Sequence, residues 1–235
     1  MRILVINPNT SKSMTDHVRR ELEKIKRDDT ELTVVNPEHG PVSIESAYDE
    51  ALAIPPTLEL VRQANDEGYD AVILACFSDP GLDAAKEISD IPVIGIEEST
   101  MHIAAMLGHK FAVTTGDSAR APSKELDARL RNVETAYASA LSMDMPVLEM
   151  DAHPEKAKAR IMELGREAIE EEGVEVIILG CAGLSGYADD IEQELGVVVL
   201  DPTSVALKVA EALVDLGVRH SKVRRFARPP EKEIK

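Results

Sequence analysis

Tryptophan is missing from this chain of 235 residues, and aromatic residues of any kind make up only 3% of it. A protein so poor in aromatics has no platform on which to stack unpaired bases. Positive charge is also scarce: 26 Lys and Arg stand against 43 Asp and Glu, a formal net charge of −17. A surface of that sign repels phosphate backbones and anionic headgroups. Nucleic acid and membranes are therefore not expected partners, and a small-molecule substrate is. No apolar run approaches the roughly 20 residues that cross a bilayer. The apolar start stops at Asn7, too short for a signal-peptide core. These absences predict a cytoplasmic protein. Cysteine is nearly absent too, with only Cys76 and Cys181. In a reducing compartment such a pair reads as two free thiols rather than a bridge. Neither lies in a CxxC or a paired Cys/His spacing, so no metal site is expected. The one local excess of positive charge, from Arg219 to Lys235, reads as a solvated, partly frayed tail able to dock on an acidic neighbouring subunit.

What is present is a series of short, β-branched apolar runs. They are Ile3–Ile6, Leu32–Val35, Ala71–Leu74, Pro92–Ile96, Phe111–Thr114, Val174–Leu179 and Val197–Leu200. Runs apolar on both faces predict strands covered on both sides. Segment Val133–Ser139 is the weakest strand of the set. Amphipathic stretches Ser13–Ile25, Pro154–Ile169 and Thr203–Leu216 have helical spacing. Alternation of strand and helix predicts an α/β fold with parallel sheets.

The chain also reads as a duplication. Leu74-Ala75-Cys76 matches Leu179-Gly180-Cys181 at an offset of 105, and Val93 and Val198 differ by the same offset. The opening strands, at Ile3 and Phe111, differ by 108. Two pseudo-symmetric lobes follow, each with a four-stranded parallel sheet: 1–97 with 204–235, and 98–203. Ligands of open parallel sheets bind beyond the carboxyl ends of the strands. Both cysteines fall at such ends, so two facing lobes would place two thiols across one cleft.

Two thiols across a cleft suit proton transfer on both sides of a carbon next to a carbonyl. One thiolate takes the proton, and the opposite thiol returns one to the other face. A helix start beside each cysteine would lower its pKa. The enolate needs donors, and the backbone N–H groups of Phe77, Ser78, Ala182 and Gly183 follow the two cysteines. Asn9, in the Asn-Pro-Asn-Thr-Ser turn after the first strand, is a candidate substrate contact, and the same turn can cap the next helix. Thr115 ends the equivalent strand of the second lobe and is weighed in the same way. The loop His39–Ile44 offers an apolar wall, with Ile44 at its end. Asp79 and Asp189 are read as helix-start caps, and His17, His109 and His220 as surface residues.

These residues together resemble the aspartate/glutamate/hydantoin racemase superfamily, nearest its hydantoin racemase branch, which includes allantoin racemases. The resemblance covers nearly the whole chain. It rests on Ile6-Asn7-Pro8-Asn9-Thr10, Gly40-Pro41-Val42-Ser43-Ile44-Glu45-Ser46, Ala75-Cys76-Phe77-Ser78-Asp79-Pro80-Gly81-Leu82 and Gly180-Cys181-Ala182-Gly183-Leu184. It implies two flavodoxin-like lobes, no cofactor, catalytic roles for Cys76 and Cys181, carbonyl binding by Phe77, Ser78, Ala182 and Gly183, and a homo-oligomer. Two features depart from the pattern: Ser78 stands where relatives often carry Gly, and Glu97-Glu98-Ser99 is unusually acidic. The amino-acid racemases of the superfamily resemble Gly-Cys-Thr-His at the second cysteine. The Gly-Cys-Ala-Gly found here favours a cyclic ureide such as a 5-substituted hydantoin. The alternatives are an aspartate/glutamate-type racemase, an isomerase in which one thiol adds covalently, a non-catalytic small-molecule-binding protein on the same lobes, and a redox disulfide.

Overall fold

The computed structural model describes residues 1–230 and 232. Its first half runs β1 (Arg2–Ile6), α1 (Lys12–Ile25), β2 (Glu31–Val35), α2 (Ala47–Asp66), β3 (Ala71–Leu74), α3 (Leu82–Ile88), β4 (Val93–Gly95) and α4 (Ile96–Leu107). The second runs β5 (Phe111–Thr115), α5 (Ala121–Leu130), β6 (Tyr137–Ser142), α6 (Val147–Ala152), α7 (Pro154–Glu172), β7 (Val176–Ile178), α8 (Ala188–Leu195), β8 (Val198–Leu200) and α9 (Pro202–Asp215). The two sheets have the same order, β2-β1-β3-β4 and β6-β5-β7-β8, and every pairing is parallel. The central strands β1, β3, β5 and β7 are buried almost throughout, which is why their sequences are continuously apolar. Register aligns the strand ends: Ile6 lies opposite Val35 and Leu74, and Val113 opposite Ile178. The loops after them therefore open on one edge of each sheet.

Two helices are exchanged between the halves. Helix α4, which follows β4, packs on β7 and β8, whereas α9, which follows β8, packs on β3 and β4. The two helices also pack on each other. One core runs through this layer, joining Val5, Ile73 and Ile94 to Met101, Ala104, Phe111, Ile178 and Leu207.

Several elements differ from the sequence reading. Strand β6 begins at Tyr137 rather than Val133, because residues 132–136 form a turn. Asn132 has φ 58°, and the N–H of Ala136 donates to the Val133 carbonyl. Helix α2 runs through Pro55 and Pro56, residues that ordinarily break a helix interior. It persists because the carbonyls those prolines leave unpaired belong to Ala51 and Leu52, which are exposed and reach water, while Ala53, Thr57, Val61 and Ala64 form its buried face. A capping box between Ser46 and Asp49 starts it.

The basic tail docks on α3 and the residues just after it. Lys222 donates to the carbonyls of Lys86 and Glu87, Arg225 pairs with Asp83 at 3.0 Å, and Arg228 pairs with Asp90. Residues 231 and 233–235 of that segment lie outside the described residues. His109 is exposed, as read, but His17 and His220 are half-buried. His17 Nε2 contacts the Ser185 carbonyl at 3.0 Å, and His220 Nε2 accepts from Val93 N–H at 2.8 Å. No helix among the described residues is long and apolar enough to cross a membrane.

Candidate active site

A cavity of about 90 Å³ lies between the loop edges of the two sheets. Asn9, Ile44, Cys76, Phe77 and Ser78 line it from the first half, and Thr115, Cys181 and Ala182 from the second. Gly183 lies just behind this wall: a Cβ built on it would sit 3.5 Å from Cys181 Sγ and 3.7 Å from Met14 Cε. All nine residues singled out in the sequence are thus gathered at one place.

The second cysteine is set by a close approach of two strands. Gly180 donates its N–H to Thr114 Oγ1 at 2.9 Å. A Cβ at Gly180 would lie 1.9 Å from the Thr114 carbonyl oxygen, so only glycine fits. That contact brings Cys181 beside Thr115. Cys181 then leads into a 3-10 turn over Ala182–Leu184. Thr115 Oγ1 donates to the Asp117 carbonyl at 3.3 Å. On the other side, Asn9 is fixed through its oxygen, which accepts from Asn7 Nδ2 at 2.9 Å and from Ser11 N–H at 2.8 Å. Among the described residues its Nδ2 meets only Met14 Sδ, at 3.6 Å, a weak acceptor that a ligand carbonyl can replace. Ser11, not Asn9, caps α1.

Cys76 and Cys181 are not joined in a disulfide, and each is partly open to the cavity. Cys76 Sγ lies 3.6 Å from Ser78 Oγ. Burial pushes the Cys76 thiol up to about 12, helped by the nearby Cys181 and Asp79, while the Ser78 contact and Lys124 act in the opposite sense. This overturns the expectation of a thiol lowered by a helix dipole. The helix after Cys76 is α3, which starts six residues later and has only seven residues; desolvation wins at that range. The N–H groups of Phe77, Ser78, Ala182 and Gly183 have no acceptor among the described residues. A ligand oxygen can therefore take them.

Asp79 does not cap the helix next to it in sequence. Its carboxylate accepts from the N–H groups of Glu97 (3.1 Å) and Glu98 (2.7 Å) at the start of α4. Gly95 makes room for it, since a Cβ there would lie 2.3 Å from that carboxylate. Asp189 does stand in the first turn of α8.

Asp79 belongs to a buried charge network across the two halves. Arg131 reaches Asp79 at 3.0 Å and Glu97 at 2.9 Å. Lys124 pairs with Glu97 and reaches Asp127 at 3.1 Å and the Phe77 carbonyl at 2.9 Å. This explains the acidic Glu97, which is fully buried and holds two cations of the other half. Two cations face three carboxylates, and burial raises Glu97 to about 7. Because its folded pKa lies above the usual 4.5, its contribution to stability is full below that value and is lost as pH rises through about 7. Glu97→Gln balances the network, at two charges of each sign. The variant's Tm relative to the wild type is expected to rise between pH 5 and pH 8; a difference that does not change with pH would contradict this.

Other residues on the cavity wall were not singled out from sequence. Lys124 is buried, which lysine rarely is, and only the odd acidity at Glu97 hinted at a hidden cation. Glu50 and Arg120 form an ion pair across the two halves at the cavity. No group of three or more His, Cys, Asp or Glu among the described residues could hold a metal ion.

A family model described as Asp/Glu/Hydantoin racemase matches residues 3–210. A hydantoin racemase of Pseudomonas sp. (strain NS671) is 40% identical over 99% of the chain and 94% of its own length. One from Paenarthrobacter aurescens is 38% identical over 99% of each. The solved structure of an allantoin racemase from Klebsiella pneumoniae superposes with a TM-score of 0.96 at 36% identity, covering 100% of the chain and 96% of that structure.

Proposed function

The chain belongs to the Asp/Glu/hydantoin racemase family, and from that premise we propose that it racemises 5-substituted hydantoins or related cyclic ureides by moving a proton between Cys76 and Cys181. A racemase must break and remake one C–H bond at a stereocentre. The observation that carries this reading is the pair of unbridged cysteines on one small cavity, each at the end of the third strand of its sheet.

In this reading one cysteine, as thiolate, takes the proton from C5. The bonding pair moves to the adjacent carbonyl oxygen, which becomes an enolate oxygen. The opposite thiol gives its proton to the other face of C5, and the mirror image leaves with the thiol roles exchanged. The N–H groups of Phe77, Ser78, Ala182 and Gly183 are the donors for the ring oxygens, each worth about 3 kcal/mol where negative charge develops. Asn9 Nδ2 is a further donor. The family names and the Gly-Cys-Ala-Gly sequence support a ureide ring over a free amino acid.

The deciding measurement is proton NMR in D2O with optical rotation, over 5-benzylhydantoin, allantoin, aspartate and glutamate. Loss of rotation with deuterium entering C5 of a ureide is the expected result. Exchange on the amino acids alone would replace this reading with the amino-acid one, and exchange on none would end it.

A further inference from the structure

The peptide carbonyl that follows each cysteine is anchored by a buried side chain, and the two anchors differ in kind. After Cys76, the Phe77 carbonyl accepts from Lys124 Nζ at 2.9 Å. After Cys181, the Ala182 carbonyl accepts from Ser185 Oγ at 2.8 Å. Each anchor leads on to a carboxylate just past the fourth strand of its sheet. Lys124 meets Glu97, two residues past Gly95; Ser185 Oγ contacts Asp201 Oδ1 at 3.4 Å and Thr203 Oγ1 at 2.7 Å, at the start of α9. Glu97 and Asp201 stand 104 residues apart, close to the 105 that separates the cysteines. Equivalent positions thus do the same thing with different chemistry.

A trans peptide is planar, with its C=O and N–H pointing in opposite senses. Fixing the Phe77 carbonyl therefore fixes the Ser78 N–H, and fixing the Ala182 carbonyl fixes the Gly183 N–H. Neither N–H has an acceptor among the described residues. All three Lys124 hydrogens are accounted for by Glu97, Asp127 and Phe77, which leaves none for a substrate.

We propose that Lys124 and Ser185 are positioning residues that hold these two peptides so that their N–H groups meet the enolate oxygen, one anchor for each half of the site. This rests on the cyclic-ureide racemase reading. It differs from that reading in what it needs: groups that give the substrate no hydrogen bond should govern turnover more than binding.

The test uses the full-length protein with a ureide that the wild type racemises. Ser185→Ala deletes the shorter, side-chain bond of one anchor with little change in volume, leaving the Ala182 carbonyl only the Ser185 N–H at 3.3 Å. Lys124→Met combined with Glu97→Gln deletes the other and removes one charge of each sign, so no buried carboxylate gains an excess. Each is expected to lower kcat at least 10-fold with KM changed less than 3-fold, the signature of contacts made in the transition state, while circular dichroism confirms a folded protein. Lys124→Arg, which keeps a donor for the carbonyl, is expected to recover at least part of the rate. Folded variants with kcat within 3-fold of wild type, or with KM and kcat affected alike, would overturn the proposal. A wild type that racemises no ureide would overturn the underlying reading instead, and an intact wild type with unaffected variants would overturn only this one.

Discussion

Cys76→Ser and Cys181→Ser are each expected to slow racemisation by about 10³-fold or more, with the fold intact. A positioned acid or base contributes about 10²–10⁴-fold, and serine replaces a thiol with a hydroxyl too weakly acidic to serve as either. Both single variants should fall to similar levels, because inversion needs a base on one face and an acid on the other. The double variant should then fall little further, since groups that act as a unit are not additive. A single variant within 10-fold of wild type, by polarimetry on the ureide used above, would remove that thiol from the mechanism. The pH dependence has a definite sign. Burial holds Cys76 up at about 12, so its thiolate fraction is small at neutral pH and grows with pH. The rate constant kcat/KM should therefore climb from pH 6 to pH 9. A flat profile would place the base elsewhere, or show that the resting thiolate sits on Cys181.

The second large effect is expected from Gly180→Ala. The added methyl would stand 1.9 Å from the Thr114 carbonyl oxygen, a backbone atom in the middle of a sheet. Neither strand can retreat without loosening the pairing of β5 with β7. Overpacking of this sort costs about 3 kcal/mol, or about 6–12 °C in Tm for a chain of this size. Cys181, the next residue, should lose its alignment, and activity should fall by more than the unfolded fraction explains. Gly196→Ala is the control. Its Cβ meets nothing within 4 Å, and it carries only the strain of a residue at φ +72°, about 1 kcal/mol. Equal losses in the two variants by thermal denaturation would count against the contact at Thr114.

The architecture was legible because the central strands are buried on both faces, which writes continuous apolar runs into the sequence. The repeat of 105 residues made the two cysteines equivalent before any coordinate was known. Elements that depend on tertiary context were not legible. Helix α2 carries a proline pair that local rules read as an ending, and only the exposure of Ala51 and Leu52 makes it tolerable. The turn at Asn132 displaced the start of β6. Within the cavity, residues next to the cysteines could be named from order alone. Lys124 could not, since nothing in Pro-Ser-Lys-Glu-Leu says that this lysine turns inward. The expected shift of the Cys76 thiol also came out reversed in direction, because a sequence shows which group follows a cysteine but not how much water surrounds it.

The exchange of α4 and α9 bears on how such a molecule could arise. Each sheet is covered by a helix that the other half of the chain supplies. A single ancestral half, ending after its own last helix, would have left part of one face of its sheet uncovered and its helix without a seat. Two copies would have solved both problems by lending helices to each other, as an intertwined homodimer with one thiol per copy facing across the twofold axis. Fusion of the two genes would then free the halves to diverge, and a lysine anchoring one peptide where a serine anchors the other is the sort of asymmetry that only a fused descendant can keep.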